Sequence, residues 1–117
     1  MMKGGGKIII DDSFNGNLEG MLEAVKISST YMGRKVIITP GLVESTVEAN
    51  TTLAKAIDET FDVVIITGSL NAKVLSANID STKIVMLKDK SAMEECLANT
   101  TKAGDLILFA NDAPNFI

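Results

Sequence analysis

The stretch Lys7-Ile8-Ile9-Ile10-Asp11-Asp12-Ser13-Phe14-Asn15-Gly16-Asn17 joins an unbroken apolar run to a polar turn. Three isoleucines in a row read as a strand buried on both faces, since a strand with one wet face would alternate. Asp11 to Asn17 have the composition of a strand-to-helix turn. Asn17 has the side chain of an N-cap, and Glu19 falls in the first helical turn, where the helix dipole favours an acid. Leu18, Met21, Leu22 and Val25 then recur at helical spacing, with Gly33 as the expected C′ residue.

The same alternation continues along the chain. Val36 to Thr39 reads as a second strand, stopped by Pro40-Gly41. Ser45 and Glu48 have capping-box spacing ahead of an apolar face formed by Val47, Leu53, Ala54 and Ile57. Val63 to Thr67 is a third strand closed by Gly68, Asn71 to Asn78 a short helix, and Ile84 to Leu87 a fourth strand. Ser91 and Glu94 form a second capping box, with Met93, Cys96 and Leu97 facing inward. Ala103-Gly104 breaks that helix, and Leu106 to Ala110 is the fifth strand. Strict alternation of strands and helices predicts an α/β fold, a three-layer α/β/α Rossmann-like domain with a mostly parallel five-stranded sheet. Strand order is not contained in the pattern. Met1 to Gly6 has no packing logic of its own and reads as a truncated or added start, so residues 7–117 are expected to form the domain.

Composition narrows the chemistry. The 117 residues, 46% of them hydrophobic, fit one domain. A net charge of −4 argues against nucleic acid as a partner, and with 4% aromatics and no Trp no stacking platform is expected. The longest apolar run, Leu106 to Ala110, is too short to span a bilayer, and no leader pattern opens the chain. A lone cysteine, Cys96, rules out an internal disulfide and fits a reducing compartment. On the inner face of a helix it reads as a small core residue, as the methionines read as core filler or chain start. With no histidine, Ser-His-Asp and Cys-His catalysis and His-containing zinc sites are excluded.

Ligands of open α/β sheets bind beyond the carboxyl ends of the strands. That rule selects Asp11 to Asn17, Pro40 to Ser45, Gly68 to Asn71, Lys88 to Ser91 and Asn111 to Phe116. The first loop offers carboxylates for ribose hydroxyls or a cation, and amides for a base edge. The same residues are ordinary turn formers, and on composition both readings stand. Gly4-Gly5-Gly6-Lys7 is no phosphate loop, because its glycines precede the strand, and no G-x-x-x-x-G-K-[ST] occurs. A phosphorelay receiver is excluded too: Thr67 stands where the acceptor aspartate belongs, and Asn111-Asp112 where a lysine does.

The first loop, Ile9 to Asn17, resembles the D-D-S-Y-N-A-N segment of the Mur ligases, and within them of the member that adds D-alanyl-D-alanine to UDP-N-acetylmuramoyl-tripeptide. Gly20-Met21, Gly33-Arg34-Lys35-Val36, Gly41 to Glu44, Val64 to Gly68, Asp89-Lys90 and Gly104 to Leu108 continue the likeness in order. The resemblance implies the carboxyl-terminal domain of a three-domain, ATP-dependent, amide-forming ligase of peptidoglycan synthesis. It implies a last strand inserted between the first and second, and a short antiparallel strand before the five parallel ones. It implies that the domain closes over ATP and positions the incoming amine, packed on a central domain that carries the phosphate loop and Mg2+. Asp12 would bind the ribose hydroxyls, Asn15 would sit against the adenine, and Asn17 would cap the helix and shape the loop. Glu44 and Lys90 match positions on the amine side. No residue of this domain is expected to act in acid–base chemistry, and neither a membrane nor nucleic acid is an expected partner. A cytoplasmic location follows from the family's substrates. Two family features are missing: G-D-M reads Pro40-Gly41-Leu42, and the terminal K-G-S-R reads Ala110-Asn111-Asp112-Ala113. The lost lysine and arginine are natural partners of a substrate carboxylate, so another lysine has to supply the charge or the pocket is rebuilt. A stand-alone α/β module binding a nucleotide or small ligand is the alternative reading.

Overall fold

Apolar runs of four or five residues bounded by turn formers become strands when both faces are covered, and three runs here meet that condition in full. Val36 to Thr39, Val64 to Thr67 and Leu106 to Ala110 are buried at every position. The computed structural model describes residues 2–4, 6–12, 17–43 and 45–111. Along them run β1 (Met2–Gly4), β2 (Lys7–Asp12), α1 (Leu18–Ser29), β3 (Lys35–Thr39), α2 (Val47–Thr60), β4 (Val63–Thr67), α3 (Ala72–Asn78), β5 (Ile84–Leu87), α4 (Met93–Thr100) and β6 (Leu106–Ala110). Short 3-10 turns at Ser81–Lys83 and Lys90–Ala92 precede β5 and α4.

The sheet order is β1-β2-β6-β3-β4-β5. β2, β6, β3, β4 and β5 are parallel, and β1 lies antiparallel on β2, with Met2 opposite Ile9. The last strand is thus inserted between the first two of the parallel set. The start of the chain, expected to lack a packing role, supplies an edge strand. Ile8, Ile9 and Ile10 of β2, the strand next to the edge of the sheet, are half-buried, not buried on both faces.

Alternate strand residues feed two cores. Ile37, Val64, Ile66 and Leu108 pack under α1, α2 and α3 through Met21, Val25, Leu53, Ile57 and Leu75. Val36, Ile38, Ile65, Ile107 and Phe109 face the other way, under Met93 and Leu97 of α4. One face therefore carries three helices and the other carries one. Among the described side chains Met21 and Met93 are buried, while Met32 is 97% exposed, so the core-filler expectation fails for the latter.

Helix boundaries differ from the sequence expectations at three points. α1 ends at Ser29, before Gly33, because the Thr30 and Tyr31 amides turn back to Ile27 O and Ser28 O. Gly33 is instead a close-approach glycine, since a Cβ there would meet the Tyr31 ring at 2.6 Å. Thr46, not Ser45, caps α2, its hydroxyl accepting from Ala49 N at 3.0 Å. Ser91 caps nothing: its amide donates to Asp89 Oδ1 at 3.0 Å in the 3-10 turn, and α4 starts without a side-chain cap.

Candidate functional site

Ligands of open α/β sheets bind beyond the carboxyl ends of the strands, and the end of β6 lies between those of β2 and β3. β6 ends at Ala110, level with Asp12 of β2. Asn111 follows with φ of 59°, the left-handed region that asparagine tolerates better than most residues. It is also the place where the resembled motif has glycine. Its backbone amide donates to Asp12 O at 3.0 Å, and its side-chain Nδ2 donates to Gly41 O at 3.0 Å. One residue thus ties the loops after β2 and β3 to the end of β6.

The turn after β3 is held by two more asparagines. Asn50 of α2 is 2% exposed, and its Oδ1 accepts from Leu42 N at 2.8 Å while its Nδ2 donates to Leu42 O at 3.1 Å. Asn71, ahead of α3, donates to Pro40 O at 2.9 Å and to Leu42 O at 3.1 Å. Asn50 Nδ2 also reaches Asn71 Oδ1 at 3.4 Å. Gly41 N donates to Thr39 Oγ1 at 3.0 Å. Gly41 sits at φ of 80°, and a Cβ there would lie 2.7 Å from Asn50 Oδ1, so a side chain is excluded twice over. Every backbone donor and acceptor from Pro40 O to Leu42 O is engaged inside the protein. That turn forms a wall braced by side chains and offers no unengaged backbone group to a ligand.

Asp12 lies across from this wall at the end of β2, half-buried, with its Oδ2 among the buried oxygens. A carboxylate at this point accepts hydrogen bonds from hydroxyl donors, as a ribose would present. Asn17 is exposed and caps α1, its Oδ1 accepting from Gly20 N at 2.7 Å, so it shapes the loop. Asn15 and Glu44 lie outside the described residues, and so does the Lys90 side chain. The Lys90 backbone follows β5, and β5 ends four strand positions from β2, about 19 Å at ordinary strand spacing. Lys90 and Asp12 are therefore not brought together. No phosphate cradle is found among the described residues. No group of three metal-ligating side chains comes together among them either.

The charges around the site have simple causes. Asp89, in the turn after β5, is held below the ordinary aspartate range first by the Ser91 backbone N–H and then by the Ser91 side chain. Cys96 is pushed up from its ordinary value by burial, which fits a packed thiol beside the α4 core and not a nucleophile.

Sequence reasoning passed over Asn50, and placed Asn71 and Asn111 in candidate loops without giving either a role. A signal for Asn50 existed: it is the polar member of the stripe Asn50, Leu53, Ala54, Ile57 that α2 buries. Val47, placed on that stripe by its spacing, is 68% exposed.

No known protein family matches the chain, and neither does any curated protein sequence. Solved structures do match in fold. A domain of a Haemophilus ducreyi protein assigned as a UDP-N-acetylmuramate:L-alanyl-γ-D-glutamyl-meso-diaminopimelate ligase superposes with a TM-score of 0.71 at 15% identity, over 97% of this chain and 87% of that one. A MurF ligase from Thermotoga maritima, solved in complex with ADP, gives a TM-score of 0.76 at 22% identity over 95% of this chain. This chain spans 26% of the length of that ligase.

Proposed function

We propose that this domain is the nucleotide-facing, carboxyl-terminal part of an ATP-dependent Mur-type ligase that joins D-alanyl-D-alanine to UDP-N-acetylmuramoyl-tripeptide in the cytoplasm. The observation that carries the reading is Asp12 at the carboxyl end of β2, level with the end of the β6 strand inserted between β2 and β3. The likeness in fold to two Mur ligase domains supports it.

In such a reaction ATP transfers a phosphoryl group to the peptide carboxylate, and the amine then displaces phosphate to form the amide. The phosphate-binding loop and Mg2+ belong to other parts of the ligase. The role of this chain is to position reactants and exclude water, which needs no histidine. Asp12 holds the ribose hydroxyls, Asn15 lies against the adenine, and Asn17 fixes the loop between them by capping α1. Glu44 and Lys90 serve the amine side.

The test is a titration of the protein with ADP, followed by backbone amide NMR. Shifts at Asp11, Asp12, Asn17 and Asn111 that saturate at millimolar nucleotide, and that vanish in Asp12→Ala with the fold intact by circular dichroism, are expected. Absence of shifts at these residues, or unchanged binding in Asp12→Ala, overturns the assignment.

A further inference from the structure

Side chains along β2 alternate between the two faces of the sheet. Ile8 and Ile10 pack against the core that holds Leu42, Leu108 and Ala110. Asp12 lies two residues further on, paired with Ala110, so its carboxylate leaves the sheet on that same face. Leu42 is fully buried in the same core and brings the turn after β3 onto this face as well. The carboxylate and the turn thus stand on one face, on either side of the end of β6.

Asn50 and Asn71 fasten that turn to α2 and to the loop after β4. Asn111 carries the connection on to β2. Its N–H continues the ladder to Asp12 O at 3.0 Å, and its Nδ2 donates to Gly41 O at 3.0 Å. Asparagine combines tolerance of the left-handed backbone seen here, φ of 59°, with an amide donor. Glycine would fit the backbone and lack the donor. Gly41 is buried, so without that donor its carbonyl oxygen must be hydrated, and the turn has to move away from β6 to reach water.

We infer that Asn111 is a positioning residue: its side chain clasps the turn after β3 to the strand end that carries Asp12, and so sets the gap in which a ligand of the Asp12 carboxylate is held. Asn111 acts through Asp12 and the turn. The clasp makes Asp12, Asn111, Gly41, Leu42 and Asn71 one mechanical unit, so that occupancy at Asp12 is felt at Asn71. That the ligand is a nucleotide rests on the ligase reading; the clasp rests on the hydrogen bonds.

The test is Asn111→Gly, which keeps the left-handed backbone and the N–H and removes only the amide. Amide hydrogen exchange and an ADP titration are followed by NMR in both proteins. Gly41 N and Leu42 N are bonded to Thr39 Oγ1 and Asn50 Oδ1, so both have protection to lose. Faster exchange at these two amides is expected in the variant, with ADP bound about fivefold more weakly, the scale of one hydrogen bond acting on the competent population. ADP is expected to shift Gly41, Leu42 and Asn71 in the wild type, and in the variant only the shift at Asp12 is expected to persist. A lower melting temperature with the same ADP affinity and the same shift pattern would make Asn111 a structural residue only and overturn the inference. Unchanged exchange at Gly41 and Leu42 overturns it whether or not ADP binds. Faster exchange in the variant with no ADP shifts in the wild type rejects the ligase reading and leaves the clasp standing.

Discussion

Asn50 shows how one buried amide can set the shape of a site. Leu42 is fully buried, and both its backbone N–H and its C=O bond to the Asn50 side chain. Asn50→Leu keeps the volume but strands that donor, while the acceptor keeps only Asn71. Losing a buried partner costs about 1–3 kcal/mol per group, so a loss of about 2–3 kcal/mol of unfolding free energy is expected, measured by urea denaturation. A loss under 0.5 kcal/mol would mean the wall holds without it. The exposure of Val47, placed on the same stripe by its spacing, has a geometric reason. α2 has 14 residues, about 21 Å at the helical rise, against about 16 Å for a five-residue strand beneath it. Its first turn overshoots the sheet, so Val47 falls in solvent although its spacing matches the apolar stripe.

At the scale of elements, the amino edge of the sheet is fastened by side chains as the carboxyl edge is. Arg34 donates to Asp105 Oδ2 at 2.6 Å and to Thr100 O at 3.0 Å, joining the start of β3 to the end of α4 and the start of β6. The Lys102 amide is a second donor to the same carboxylate at 3.0 Å. The side chains are 34% and 3% exposed, so the aspartate is the partner left buried if the arginine is removed. Arg34→Met is expected to cost about 2–3 kcal/mol by thermal or chemical unfolding, less than a fully buried pair because Arg34 is partly wet. The helix starts were the weakest part of the sequence reading, because caps compete locally. Ser45 and Thr46 are both competent, and only the backbone path selects Thr46. The turns before β5 and α4 carry a pH signature. The Asp80 carboxylate is lowered first by the Thr82 backbone N–H, as Asp89 is by that of Ser91. A depressed folded-state value gives stability that is present above the ordinary aspartate range and lost as pH falls through the lowered value. An Asp80→Ala/Asp89→Ala double variant is therefore expected to show a shallower decline of melting temperature on acidification than the wild type. An identical decline would show that these turns contribute nothing to it.

At the scale of the whole molecule, the alternation of apolar runs with helical stripes made the α/β layering legible without any ligand, since each run of β-branched residues has one stable use. Composition and periodicity could not give the position of β6, because a crossover that skips a strand and one that does not have the same local pattern. That order came only through the likeness of the first loop. β6 contacts β2 on one side and β3 on the other and is buried throughout. It is the strand on which both halves of the sheet depend. Residues 1–104 alone are expected to give collapsed, poorly dispersed amide NMR spectra and no cooperative unfolding transition. A dispersed spectrum would mean that β2 and β3 close on each other without it.

The position of β6 also sets a schedule for biogenesis. A ribosome delivers β1 and β2 first and β6 after the other described strands, yet β6 must enter the middle of the sheet. Until it arrives, β2 and β3 each present a bare hydrogen-bonding edge lined with isoleucine and valine, the kind of edge that recruits foreign strands. The nascent domain therefore spends most of its synthesis open at the centre, and its dependence on chaperones should be decided by how quickly its final strand leaves the exit tunnel.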